Sequence, residues 1–143
     1  MTTLFEAARF LRIPSKDKPL TSPLQFLDYL DKGLPVSSVD RIAAAIAPAD
    51  SEFRYRIVPK ATLARVRPKG RLNKAQGELV SRLAEVWTDA IRVWKTEEQA
   101  RSFLVRKHPL LEGKRPIDVA LQSAIGAQLV RDILGRLEHG TAV

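Results

Sequence analysis

Between Asn73 and Trp94 the chain reads N-K-A-Q-G-E-L-V-S-R-L-A-E-V-W-T-D-A-I-R-V-W, with Leu79, Val80, Leu83, Val86, Trp87, Ala90, Ile91 and Trp94 recurring at three- and four-residue intervals. That period predicts one long amphipathic helix with a continuous apolar stripe and polar residues opposite. Asn73, followed three residues later by Gln76, provides a capping box to start it. A stripe of this length has to be covered, so the flanking segments are expected to pack around this helix and to be joined by it.

Those segments are themselves helical in pattern. Leu4, Ala7, Ala8 and Leu11 space a short helix that Pro14 ends, and P-S-K-D-K-P-L-T-S-P (14–23) reads as a linker or extended arm. Leu24, Leu27, Leu30 and Leu34 then fall on one helical side, up to the stop at Gly33. Ser37 and Ser38 are N-cap candidates, with Asp40 placed to complete a box with Ser37, ahead of the stripe Val39, Ile42, Ala43, Ile46. Ser51 can cap a turn through Phe53 and Ile57, and Pro59 opens K-A-T-L-A-R-V-R, closed by Pro68 and Gly70. Three short helices joined by tight turns are the pattern of a helix-turn-helix.

Beyond the long helix, Thr96 and Gln99 form another capping box, for a helix that turns Ala100, Phe103 and Leu104 inward. The loop K-H-P-L-L-E-G-K-R-P follows, Pro116 suits a helical first turn, and Ile125, Leu129, Ile133, Leu134 and Leu137 carry the last stripe. Gly126 and Gly135 each cost that helix about 1 kcal/mol relative to Ala, which calls for a reason such as close approach of another helix or chain. No segment alternates like a strand, so the fold class is all-α.

Composition narrows the function classes. With 143 residues and 45% hydrophobic content, the chain can build one compact unit or two small ones that share a core. No apolar run approaches the roughly 20 residues of a membrane span, so a soluble, cytoplasmic protein is expected. Cysteine is absent and His108 and His139 are the only histidines, so neither a disulfide nor a metal site is expected. There is no nucleophile elbow, phosphate-binding glycine loop or carboxylate cluster, and the Gly113 to Arg115 segment lacks the rest of a P-loop. Neither enzymatic activity nor a cofactor is expected.

The charge is unevenly placed. Of the net +8, residues 54–71 hold seven basic and no acidic side chains, whereas residues from Asn73 onward hold eleven basic and nine acidic ones. Such a patch on a helix-turn-helix suits a phosphate backbone. Arg54, Arg56, Lys60, Thr62, Arg65, Arg67, Lys69 and Arg71 are the candidate DNA-binding residues, with Lys60, Thr62 and Arg65 on the second helix of the pair. A solvated basic face, or one that docks an acidic protein, is the alternative. Trp87 and Trp94, seven residues apart, read first as core.

The C-terminal segments E-E-Q-A-R-S-F-L (97–104), H-P-L-L-E-G-K-R-P-I-D-V-A (108–120) and G-A-Q-L-V-R-D-I-L-G-R-L-E-H-G (126–140) resemble the toxin-binding domain of the Xre/MbcA/ParS antitoxins. G-L-P-V-S-S (33–38), A-T-L-A-R (61–65) and G-R-L-N-K-A-Q (70–76) resemble the helix-turn-helix part of the same family, from which E-F-R-Y-R-I (52–57) departs in lacking an alanine-rich first helix. The resemblance implies an antitoxin of a type II toxin-antitoxin pair, which blocks the active site of a RES-domain, NAD-consuming toxin and represses its own operon. It implies toxin-facing roles for His108, Pro109, Leu111, Arg131, Leu134, Glu138, His139, Gly140, Thr141, Ala142 and Val143. The expected organisation is an N-terminal helical arm and proline-rich linker (1–36), a helix-turn-helix region (37–72) and a toxin-binding domain (73–143). A homodimer is expected because one helix-turn-helix reads one half-site. The competing reading is a free-standing helix-turn-helix transcriptional regulator.

Overall fold

In the computed structural model, which describes residues 2–140, the long helix is α6 (Lys74–Trp94), and eight shorter helices surround it among the described residues. These are α1 (Thr2–Leu11), α2 (Pro23–Lys32), α3 (Ser37–Ile46), α4 (Arg54–Ile57), α5 (Lys60–Val66), α7 (Glu97–Val105), α8 (Pro116–Gln122) and α9 (Ala124–Glu138). Single 3-10 turns at Arg67–Lys69 and Pro109–Leu111 complete the chain path. Strand-like pairing among the described residues is confined to two isolated bridges, Pro35 with Arg71 and His108 with Lys114. The all-α expectation holds.

α6 starts as its sequence predicts. The Asn73 side chain accepts from the Gln76 amide at 2.8 Å, and the Gln76 side chain accepts from the Asn73 amide at 2.9 Å. Val80, Leu83, Ala84, Val86, Trp87 and Ala90 are buried, and α1, α2, α3, α4, α7, α8 and α9 all pack against this helix. Full burial of each large side chain contributes about 1.5–3 kcal/mol, so this helix is the surface on which most of the others bury their apolar faces. The core is one continuous cluster that draws on every helix.

Two ties bind the helices on either side of α6. Arg101 of α7 donates to the Ala45 carbonyl at 2.6 Å, one of the terminal carbonyls of α3 that lack an intrahelical partner, while its guanidinium lies 5.6 Å from the Trp87 ring. On the other side, Asp89 of α6 is buried yet fully engaged. It accepts from Thr3 of α1 at 3.0 Å, from Arg92 at 2.8 Å and from Arg131 of α9 at 2.7 Å. Arg92 also reaches Glu6 at 2.8 Å, and Arg131 reaches Glu85 at 3.4 Å. Burial pushes the Glu85 carboxyl above its usual range, against the opposing pull of Arg131.

Three local expectations are corrected. Ser37 does not cap α3: Val36 occupies that position with helical backbone angles and no side-chain cap, because its amide donates to the Gly70 carbonyl and fixes the path one residue earlier. Asp40 is thereby free of capping and turns to Arg54 and Arg67. On α2 the inward residues are Phe26 and Leu30, with Leu24 and Leu27 exposed and Leu34 buried beyond the helix. On α9 the inward face is Gly126, Ala127, Val130, Ile133 and Leu134, while Ile125 is 75% and Leu129 48% exposed. The cause is steric. A Cβ on Gly126 would stand 2.0 Å from the Val119 carbonyl oxygen of α8, so this glycine must face α8, and that rotation turns Ile125 and Leu129 outward.

The two glycines of α9 therefore part company, since a Cβ on Gly135 would meet nothing within 4 Å. Gly126→Ala is expected to destabilise the fold by about 2–3 kcal/mol through backbone displacement, and Gly135→Ala to stabilise it by about 0.5–1 kcal/mol. Urea denaturation of the two variants against wild type measures both, and equal shifts would contradict the packing described.

Candidate functional site

The basic segment folds as expected into α4, α5 and the turn after them, but much of its charge is already engaged. Asp40 of α3 accepts from Arg54 at 2.7 Å and from both terminal nitrogens of Arg67 at 2.9 and 3.0 Å. The hydrogen bonds from Arg67 hold the Asp40 carboxyl below the usual carboxylate range, with burial opposing them and the positive charges of Arg67 and Arg54 adding to them. Arg56 reaches across to Asp118 of α8 at 2.9 Å, and Asp118 is also held by Arg115 through a two-pronged contact of 2.8 and 3.0 Å. Arg71 donates to the Gly33 carbonyl at 3.0 Å. Lys60 lies 5.6 Å from the Tyr55 ring, and Thr62 beside it on α5 is half-buried.

Among the described residues, Lys60, Arg65 and Lys69 are exposed and have no acidic side chain within 4 Å. The local +7 is thus a count of residues, and the charge open to a ligand is smaller. Each internal acceptor lies far away in sequence, so no window of the chain shows the pairing.

The second site lies where the loop after α7 meets the end of α9. The loop is closed on itself. The Leu110 amide donates to Nδ1 of His108 at 3.1 Å, the Leu111 and Gly113 amides both donate to the His108 carbonyl, and the His108 amide donates to the Lys114 carbonyl. Glu112 at φ 56° and Gly113 at φ 80° make the left-handed turn that this closure needs. Leu111 is buried and pins the loop, leaving Pro109 and Leu110 exposed at its tip.

Beside the loop, Trp94, Phe103 and His108 form an aromatic series. The first two rings are 5.8 Å apart and the last two meet edge-on at 6.1 Å. With Glu98, Gln99, Ser102, Arg106, Lys107 and Leu137 they line an open groove of about 440 Å³. The indole N–H of Trp94 is buried and has no acceptor among the described residues. Glu138, His139 and Gly140 are exposed directly after Leu137.

The expected toxin-facing residues are thus scattered over different environments. His108 is in the groove, Pro109 at the loop tip, and Glu138, His139 and Gly140 at the open end of α9. Leu111 and Leu134 are buried, the latter 1% exposed, and Arg131 is held by Asp89 and Glu85. Thr141, Ala142 and Val143 lie outside the described residues. The groove itself was not legible beforehand, because Trp94 and Phe103 read as plain core. The available signal was the position of Trp94 as the last residue of α6, where a stripe residue runs out of covering partners.

An all-helical chain with a helix-turn-helix segment followed by a helical C-terminal part defines a class of two-part binding protein, and comparison with known families specifies it. Residues 26–85 match the antitoxin Xre-like helix-turn-helix domain, and residues 83–140 match the antitoxin Xre/MbcA/ParS C-terminal toxin-binding domain. The chain belongs to the Xre/MbcA/ParS antitoxin family and is an antitoxin of a toxin-antitoxin system. No curated protein matches it. These are families of binding proteins rather than enzymes, and among the described residues no helix is long and apolar enough to cross a membrane.

The Asp40 clamp holds α3, α4 and the turn after α5 together, and its contribution depends on pH in a definite direction. A carboxylate whose folded pKa is lowered stabilises the fold above its unfolded pKa of about 3.9, and that stabilisation is lost as pH falls through the lowered value. Asp40→Asn is expected to cost about 0.5–1 kcal/mol at pH 7, since solvent screens these partly exposed partners, and the difference from wild type closes progressively below about pH 4. Urea titrations at several pH values check this. A difference that persists undiminished in acid would mean that the charge of Asp40 is not the cause.

Proposed function

We propose that the protein neutralises a RES-domain, NAD-consuming toxin by binding over the entrance of its active site, and that it represses its own operon as a homodimer. The observation that carries the first part is the position of the exposed end of α9, Glu138 to Gly140, beside the His108 groove, all within the stretch matched to the toxin-binding domain. Neutralisation by occlusion needs no chemistry in the antitoxin. It needs a slowly dissociating complex, which buried aromatic anchors inside a polar rim supply. In this reading His108, Pro109, Glu138, His139, Gly140 and residues 141–143 touch the toxin, while Leu111, Leu134 and Arg131 hold the loop and α9 in place beneath them.

Operator binding is supported by the helix-turn-helix match and by the exposed Lys60, Arg65 and Lys69 around α5, with Thr62 beside them. Arg54, Arg56, Arg67 and Arg71 serve this surface chiefly by holding its helices through Asp40, Asp118 and Gly33. A free-standing transcription regulator is the weaker reading, since it leaves residues 83–140 without a task.

Separate losses are expected for the two surfaces. A chain ending at Glu138 should rescue growth from the toxin encoded beside it less well than the full chain, while keeping its operator gel shift. Lys60→Ala with Arg65→Ala should abolish the shift, or flatten its salt dependence by about two in log K per log salt, and leave rescue intact. Full rescue by the shortened chain would remove its last five residues from the mechanism, and rescue from a toxin without a RES domain would replace the partner.

A further inference from the structure

The groove has features that the occlusion reading does not use. Its floor is apolar and aromatic, built by Trp94, Phe103 and Leu137, and about 440 Å³ lies within the range of pockets that enclose a specific group. Its rim is positive: Arg106 and Lys107 are exposed and have no acidic side chain within 4 Å among the described residues, against the single acid Glu98. Arg106 is further poised over the groove by its hydrogen bond to the Ser102 hydroxyl at 3.1 Å. The Trp94 N–H is buried without an acceptor among the described residues, an unmet donor at the floor's own ring.

We propose that this groove is a receptor for the toxin: it takes up a toxin segment that carries a large apolar side chain next to a carboxylate, the side chain seated on Trp94 and Phe103 and the carboxylate between Arg106 and Lys107. This rests on the toxin-binding reading and reverses part of its geometry, since here the toxin enters the antitoxin. Every residue lining the groove lies within 83–140, the toxin-binding match. The basic rim of Arg106 and Lys107 favours an occupant that carries a carboxylate. An acidic segment is drawn in by the same charges.

Two variants of the full chain test this against the purified toxin encoded in the neighbouring gene, with binding measured by calorimetry and folding checked by circular dichroism. Ser102→Trp fills the groove and is expected to weaken binding at least tenfold. Arg106→Glu with Lys107→Glu, both at exposed positions, is expected to weaken it comparably and to flatten its dependence on salt, and it decides the matter if Ser102→Trp does not fold. Folded variants that bind like wild type overturn the groove as receptor while leaving the antitoxin reading standing. A wild-type chain that fails to bind that toxin overturns the partner reading itself. Loss of self-association with toxin affinity unchanged would make the groove a contact between copies, and an effect of Ser102→Trp that vanishes when residues 141–143 are removed would make the occupant the chain's own tail. Either result overturns the proposal.

Discussion

A carboxylate on the inner face of α6 has to be paired, and the pairing of Asp89 orders the helices around it. Removing such a group from water costs several kcal/mol, which only close, well-directed donors offset. Asp89 finds three of them, on α1, on α6 itself and on α9, at 3.0, 2.8 and 2.7 Å. Apolar packing would let α1 and α9 slide or rotate on α6 by small amounts at small cost, whereas these hydrogen bonds tolerate little change of distance or angle. The apolar stripe brings the helices together and Asp89 sets their register. The position of α9 in turn decides where its open end and the groove beside it are presented.

What could be read in advance was whatever depends on near neighbours. The period of α6, its capping box and Pro116 at the first turn of α8 are local facts that stand in the structure, while of the box expected at Thr96 and Gln99 only the Thr96 cap of the Gln99 amide forms. Ser37 failed as a cap because a residue 34 positions away along the chain, Gly70, receives the Val36 amide and begins the helix early. Ile125 and Leu129 failed as core because the rotation of α9 is dictated by the Val119 carbonyl pressed against Gly126. The glycine itself was the clue. Its cost within a helix signalled a close approach, and taking Gly126 as the inward reference in place of the bulky residues would have given the correct face.

The basic patch teaches a different limit. Net charge over a window is additive in sequence, while the field felt by a partner depends on acceptors that folding brings in. Asp40 absorbs two of the seven cations and Asp118 shares a third, so residues adjacent in sequence divide into those that brace the surface and those that remain open to a ligand. Bracing is not idle. α4 and α5 are too short to be stable alone, and the Asp40 clamp supplies part of what their own hydrogen bonds cannot.

The two matched segments overlap on α6, which raises the question of what joins the helix-turn-helix half to the half matched to the toxin-binding domain. The Arg56 to Asp118 pair crosses between them and is the obvious candidate, but both side chains are more than a third exposed and such pairs contribute about 0–1 kcal/mol. The stronger junctions are Arg101 on the Ala45 carbonyl and the continuous core around Trp87, Val80 and Leu83. Because the apolar residues of both halves rest on one helix, neither can loosen greatly without exposing part of the other's core. The exposed ion pair adds little to that junction, and the shared helix is what holds both surfaces on one support.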